Sequence, residues 1–213
     1  MTGFIIDERL EAYAEEHTSD DGELFRRLEA ETREKTTAPE MMVGRIEGRF
    51  LEFLVRLTGA SLVLELGTFT GYSSLSMARG LPEGGRVITC DVSDETTAIA
   101  KRYAEEAGLA DRIDYRVGPG LETIAQLDGR FDLVFIDADK GGYLDYYEAV
   151  MPKLADDGLI IFDNSLTSGR VLEDDGDEST RAIKRVNDHV LNDQRVEAVM
   201  LTVRDGMLLV RKR

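Results

Sequence analysis

The chain has 213 residues, 42% hydrophobic and 32% charged, with a formal charge of −16 at neutral pH. That length supports one domain with a substantial core, while the charge argues against a nucleic-acid partner, whose phosphates call for clustered Lys and Arg. No apolar run approaches the ~20 residues of a membrane helix, the amino-terminal MTGFIIDERLEAY lacks a signal's basic start and apolar stretch, and Cys90, the only cysteine, reads as a small core residue; a cytoplasmic setting is expected.

In chain order, residues 7 to 17 and 22 to 35 read as two helices, the second with Ser19, Asp20 and Asp21 as cap candidates and Leu24, Phe25 and Leu28 on one face. They suggest an N-terminal helical segment, 1–38, ahead of a core domain at 39–213. Pro39 suits the first position of a third helix, and Met42, Ile46, Phe50, Phe53, Leu54 and Leu57 recur at helical spacing until Gly59, so these residues are its expected core face.

Ser61 to Ser74, SLVLELGTFTGYSS, organises the rest. Leu62, Val63, Leu64 and Leu66 form the short apolar run of a strand buried on both faces, and Gly67 ends it with a residue free to take positive φ. Gly71 would let the turn approach a ligand closely before Ser73, Ser74, Leu75, Met77 and Ala78 begin a helix. The spacing Glu65-x-Gly67-x-x-x-Gly71 lacks the G-x-G-x-x-G of a pyrophosphate site. Glu65 would repel phosphate but suits a ligand carrying an ammonium and a sulfonium, as S-adenosylmethionine does. The next strand, Arg86 to Asp91, ends in a carboxylate ~20 residues beyond the turn, where such folds hold ribose hydroxyls.

A helix is expected from Asp94 to Ala107, a strand at Ile113 to Val117, and a strand-end turn at Gly118-Pro119-Gly120 leading into a short helix, Leu121 to Leu127; Gly120 becomes a candidate for backbone contact with an adenine. Phe131 to Ile136 make a buried strand, with Asp137, Asp139 and Lys140 spilling from its carboxyl end. The strand Gly158 to Phe162 runs out into Asp163-Asn164 at the same sheet edge, and because neighbouring strand residues point to opposite faces, those two converge only if both already lie in the turn. Asp137, Asp163 and Asn164 then offer hard oxygens suited to Mg²⁺. Ser165 to Glu178 reads as an acidic solvated loop in which Arg170 could meet substrate. Ser179 to Leu191 form a helix, and Val196 to Val203 with Met207 to Val210 form an antiparallel hairpin turning at Arg204-Asp205-Gly206; His17 and His189 read as surface residues.

With ELGTFTGYS, FIDADK, DN and the terminal DGMLLVRK in view, the chain resembles cation-dependent, S-adenosylmethionine-dependent O-methyltransferases of the caffeoyl-coenzyme A and catechol O-methyltransferase type, over nearly its whole length. The resemblance implies an α/β class I methyltransferase fold, a Rossmann-like seven-stranded, mostly parallel sheet with its last strand antiparallel, and extra N-terminal helices that cover substrate and form a homodimer. It implies that Val43, Glu65, Gly67, Thr68, Ser73, Asp91 and Gly120 hold the cofactor and that Asp139 faces its amino group. It also implies that Asp137, Asp163 and Asn164 ligate a divalent cation, Mg²⁺ before Ca²⁺ or Mn²⁺, that Lys140 is the base, and that the acceptor is a small phenol with vicinal hydroxyls. Gly120 stands where relatives usually carry Ala, and Ser165 follows DN where an apolar residue is commoner. An NAD-dependent oxidoreductase would also use Asp91 but lacks its third glycine here; a catalytically silent cofactor-binding protein would need Glu65 and Asp91 but not Asp137, Lys140, Asp163 and Asn164.

Overall fold

In the computed structural model, which describes residues 7–173 and 177–213, the apolar runs become the strands β1 (Leu62–Leu66), β2 (Arg86–Asp91), β3 (Ile113–Val117), β4 (Phe131–Ile136), β5 (Leu154–Phe162), β6 (Val196–Leu201) and β7 (Met207–Lys212). They form one sheet in the order β3-β2-β1-β4-β5-β7-β6. β1 to β5 pair in parallel, and β7 lies antiparallel between β5 and β6. This is the class I methyltransferase arrangement, with its antiparallel last strand.

Strand periodicity divides the core. Leu64, Leu66, Ile136 and Phe162 face a cluster shared with the helices α6 (Gly120–Gln126), α7 (Tyr143–Val150) and α8 (Glu178–Asn192). Val63, Leu133, Phe135 and Ile161 face the other way, against α2 (Glu23–Lys35), α3 (Arg45–Thr58), α4 (Tyr72–Gly80) and α5 (Asp94–Glu106). Strands buried on both sides need apolar residues at consecutive positions, and each such side chain contributes about 1.5–3 kcal/mol when fully buried. Among the described residues, no helix is long and apolar enough to cross a membrane.

A short first helix, α1 (Glu8–Glu16), leaves Leu10 and Tyr13 exposed. α2 is tied closely to the sheet domain: Phe25, Leu28 and Thr32 are buried, the Phe25 ring meets Tyr72 edge-on at 4.7 Å, and Thr32 Oγ1 lies 2.9 Å from Thr70 Oγ1. Just ahead of it, Asp21 accepts a hydrogen bond from the Tyr72 hydroxyl at 2.5 Å and pairs with Arg49 at 2.6 Å.

Three expectations are corrected. Pro39 opens only a 3-10 turn, Pro39–Met41; the chain is extended at Met42, and α3 starts after Gly44, itself extended at ψ −174°. The buried face of α3 is Glu47, Gly48, Leu51, Glu52 and Val55, whereas Phe53 is 59% and Leu57 77% exposed. Gly48 lets α3 close on α4, since a Cβ there would fall 2.7 Å from the Tyr72 ring; of the expected face, Met42 is buried and Phe50 and Leu54 pack against the core, while Phe53 and Leu57 turn outward. β5 begins at Leu154 rather than Gly158, because a register irregularity lets Leu154 face Phe131 and Leu159 face Leu133, with Asp156 and Asp157 exposed in between.

The acidic loop is also more structured than solvated coil. Thr167–Leu172 are 3-10 turns kinked at Ser168 and Gly169, and Asp177 caps α8 by accepting the Thr180 amide at 2.8 Å; residues 174–176 of that loop lie outside the described residues.

Candidate active site

β1 and β4 are neighbours, and their carboxyl ends open the crevice where a sheet of this topology takes its ligand. The two ends touch. Gly67 adopts φ 105°, and a Cβ on it would lie 2.1 Å from the Asp137 carbonyl oxygen, while the Asp137 amide donates to Leu66 O at 2.8 Å. Only glycine combines that conformation with that contact, so the bend after β1 is seated directly on the residue that ends β4. Gly71, at φ 90°, has a reason other than ligand approach: its missing Cβ leaves room for Ala100 of α5, which would otherwise stand 2.6 Å away.

On the β1 side, Glu65 is fully buried. Its Oε2 accepts the Thr89 hydroxyl at 2.5 Å, and Thr68 Oγ1 lies 2.6 Å from Thr89 Oγ1. Oε1 has no well-formed partner, although Ser73 stands close to the carboxyl. Burial pushes this carboxyl up to about 8, partly offset by Ser73 and Thr89. Asp91 closes the same corner, accepting the Phe69 amide at 2.7 Å and the Ser93 amide at 2.9 Å, and it holds Phe69 at φ 48°. Val43, Thr68 and Ser73 are each buried. Cys90 is a buried core residue, its thiol pushed up to about 12 by burial and by Glu65 and Asp91.

Gly120 and Asp139 meet at a third point through a residue that was not anticipated. Tyr146 donates to Asp139 Oδ1 at 2.5 Å, and its ring would be 3.0 Å from a Cβ at Gly120. Asp139 Oδ2 accepts the Gly142 amide at 3.0 Å. The space an alanine methyl would take is thus filled by the Tyr146 ring.

On the β4–β5 side, Lys140 Nζ donates to Asp137 Oδ1 at 2.9 Å and to the Tyr143 hydroxyl at 2.7 Å, which donates in turn to Asp163 O at 3.1 Å. β5 ends at Phe162, so Asp163 and Asn164 both lie past the strand, and Asn164 turns left-handed at φ 52°. Its amide and its Nδ2 donate to Asp163 Oδ1 and Oδ2 at 2.7 and 3.1 Å. Burial, with Glu47 and Asp137 close by, holds the Asp163 carboxyl well above the usual range. Arg170 donates to Thr180 Oγ1 at 3.3 Å.

The donors suit a divalent cation. Asp137, Asp163 and the buried Glu47 are electrostatic neighbours, with Lys140 and Arg204 as the neighbouring cations, which leaves three carboxyl groups against two positive charges, although their oxygens do not all come within 4.8 Å of one another; Glu47 Oε1 is buried without a hydrogen-bond partner. Hard oxygens with an excess of negative charge are what Mg²⁺ binds, generally with several waters retained. Among the described residues, a compact trio of donor atoms within 4.8 Å occurs elsewhere, at Glu148, His189 and Asp193 on the surface. There the Arg195 guanidinium already pairs with Glu148 at 3.0 Å and Asp193 at 2.6 Å, in the place an ion would need.

Sequence reasoning missed Glu47, Tyr143, Tyr146 and Arg204. The tyrosines stand in YLDYY, separated from FIDADK only by Gly141 and Gly142, where spacing from Lys140 and Asp139 could have pointed to them. Glu47 was hidden by the choice of the wrong face of α3, and Arg204 by being read as a turn residue.

A sequence-family model described as O-methyltransferase matches residues 15–213. Caffeoyl-CoA O-methyltransferase 1 of Zea mays is 38% identical over 179 residues, covering 78% of this chain and 69% of the maize protein. Two solved structures superpose with a TM-score of 0.89 each. The Bacillus cereus O-methyltransferase in complex with SAH is 29% identical, over 96% of this chain and 97% of that one. The O-methyltransferase TomG of Streptomyces achromogenes, involved in tomaymycin synthesis and solved with SAM, is 26% identical over 96% of each chain.

Proposed function

Since the chain belongs to the O-methyltransferase family, we propose that it transfers the methyl group of S-adenosylmethionine to one hydroxyl of a small catechol-like molecule, with a divalent cation, Mg²⁺ before Ca²⁺ or Mn²⁺, held by Asp137, Asp163 and Asn164. The observation that carries this reading is the direct seating of the Gly67 bend on Asp137, which puts a glycine-bearing acidic cofactor corner against an oxygen-rich one. The SAM and SAH complexes of the B. cereus and S. achromogenes proteins support the choice of methyl donor.

Glu65, with Thr68 and Ser73 around it, would receive the cofactor's cationic end, Asp91 its ribose, and Val43 and Gly120 would line its flanks; Asp139, held by Tyr146, would orient its amino group. The cation, when bound, would supply a template for the acceptor's two oxygens and would lower the pKa of the reacting hydroxyl. Lys140 would receive or hold the hydroxyl proton at Nζ, where Asp137 and Tyr143 already fix its direction. Holding oxygen, methyl carbon and sulfur in line can supply ~7 to 11 kcal/mol. The outward stripe of α3, with Phe53 and Leu57 exposed and Ile46, Phe50 and Leu54 half-buried, favours pairing with a second copy of the chain.

Methyl transfer to a panel of catechols with Mg²⁺, repeated with EDTA, tests the whole reading, beside calorimetry with S-adenosylhomocysteine and with NAD. Transfer that is indifferent to EDTA removes the cation; binding of NAD in place of S-adenosylhomocysteine removes the reaction class.

A further inference from the structure

Glu47 is 1% exposed, yet it lies on α3, more than a hundred residues before Asp163 in the chain. Arg204, in the turn between β6 and β7, reaches across to it: Nη1 donates to Glu47 Oε2 at 3.1 Å and to Met42 O at 3.4 Å. To do so Arg204 adopts the left-handed φ of 47°, unusual for a non-glycine residue. A structural ion pair would be expected to engage both carboxylate oxygens with the guanidinium fork. Here the guanidinium engages only Oε2, and Oε1 is left buried without a hydrogen-bond partner, an arrangement that is costly where nothing else satisfies it. The Asp163 carboxyl stands within hydrogen-bonding range of Glu47; with a cation bound beside them both carboxyls would be ionised, and neither would have a proton to donate to the other.

Resting on the cation reading above, we propose that Glu47, clamped by Arg204, is a third acidic member of the cation site, a positioning residue whose free carboxylate oxygen accepts a hydrogen bond from the ion's hydration shell beside Asp163. Such outer partners orient ligands and tune affinity without touching the ion. The role also gives the β6–β7 turn a function, since Arg204 couples the far edge of the sheet to the site and holds Glu47 at its depth.

The test is Mn²⁺ binding to the full-length protein without cofactor or acceptor, followed by the paramagnetic resonance of free Mn²⁺, with calorimetry of S-adenosylhomocysteine on each variant. Glu47→Gln should raise the Mn²⁺ Kd by about tenfold while changing S-adenosylhomocysteine affinity by less than about twofold. Glu47→Asp, which keeps the charge and retracts the carboxylate by one methylene, should recover part of the loss; it also replaces Glu47→Gln as the test if that variant fails to fold. Asp163→Asn is the reference. Unchanged Mn²⁺ affinity in the Glu47 variants, with loss in Asp163→Asn, overturns this inference alone, whereas a wild-type protein that binds no Mn²⁺ overturns the reading on which it rests.

Discussion

The two halves of the site are built differently. The cofactor corner comes from consecutive strand ends: Glu65 and Gly67 close β1, Asp91 closes β2, and the Asp91 carboxylate reaches the Phe69 amide a few ångströms away. The oxygen-rich corner is assembled from three remote segments, with Asp137 and Lys140 after β4, Asp163 and Asn164 after β5, and Glu47 from α3 held by Arg204 of the last hairpin. Local construction makes the first corner chiefly a property of one β-α-β unit, β1-α4-β2, while the second draws on strands and helices far apart in the chain.

The sharpest way to test that division is to remove one corner without the other. Asp137→Ala leaves the backbone contact with Gly67 intact, since Gly67 faces the Asp137 carbonyl and not its side chain. Turnover should fall by about 10³-fold or more, the equivalent of several kcal/mol of lost stabilisation, with S-adenosylhomocysteine affinity nearly unchanged by calorimetry. Equal loss of both would mean the corners are one unit.

Gly67→Ala attacks the joint itself. Its Cβ would sit 2.1 Å from a backbone oxygen at φ 105°, where no flexible side chain can give way. A destabilisation of about 3 kcal/mol or more is expected, read as a Tm drop of roughly 6 to 12 °C for a chain this size, with cofactor binding and turnover falling together.

How much of each corner could be read in the sequence follows the same division. Glu65, Gly67 and Asp91 announced themselves because their spacing is local; the apolar runs bounded by Gly and Asp marked the individual strands, and their assembly into one seven-stranded sheet was what the family resemblance implied. Asp163 and Asn164 were legible because period-two geometry requires both to lie beyond the strand, and they do. Glu47 was not, because an acid on a helix with apolar residues on more than one side reads as solvated until the contact of Gly48 with α4 shows which side faces in. The reason for Gly71 was likewise tertiary: it accommodates Ala100, a contact that no local pattern encodes.

Glu65 sharpens the comparison through pH. Its carboxyl is raised in the fold to about 8 from an ordinary 4.5, so the folded chain holds the proton more tightly than the unfolded one. The stability tied to it is therefore full below the unfolded value and is lost as pH rises through the folded one. Relative to wild type, Glu65→Gln should gain Tm between about pH 5 and about pH 8.5, by roughly 10 to 19 °C, given about 1.4 kcal/mol per pKa unit and about 2–4 °C per kcal/mol for a chain this size. A cationic cofactor end placed beside Glu65 would favour its ionised form, so S-adenosylmethionine affinity should rise toward pH 8 in wild type and stay flat in the variant. Parallel Tm profiles in the two proteins would show that Glu65 is ionised throughout.

The smallest effect expected is at the seam between the corners, where Tyr146 fills the space beside Gly120 and binds Asp139. Tyr146→Phe keeps the ring against Gly120 and removes only the hydroxyl that donates to Asp139 at 2.5 Å. Losing one hydrogen bond to a carboxylate is worth about 1.5–3 kcal/mol, discounted here because Asp139 is exposed and water can replace the donor. Stability should therefore change by less than about 1 kcal/mol, and S-adenosylhomocysteine affinity should fall by a few fold, about what a loosened Asp139 implies. Gly120→Ala probes the same seam from the other side. Its methyl would meet the Tyr146 ring at 3.0 Å, a contact that a shift of a few tenths of an ångström relieves. Combining Gly120→Ala with Tyr146→Phe separates steric from hydrogen-bonding coupling: if the ring is held in place mainly by its bond to Asp139, freeing the hydroxyl lets the ring yield to the methyl and the double variant loses less affinity than the sum of the two single losses, whereas strict additivity would place Gly120 and Asp139 in independent contacts with the cofactor.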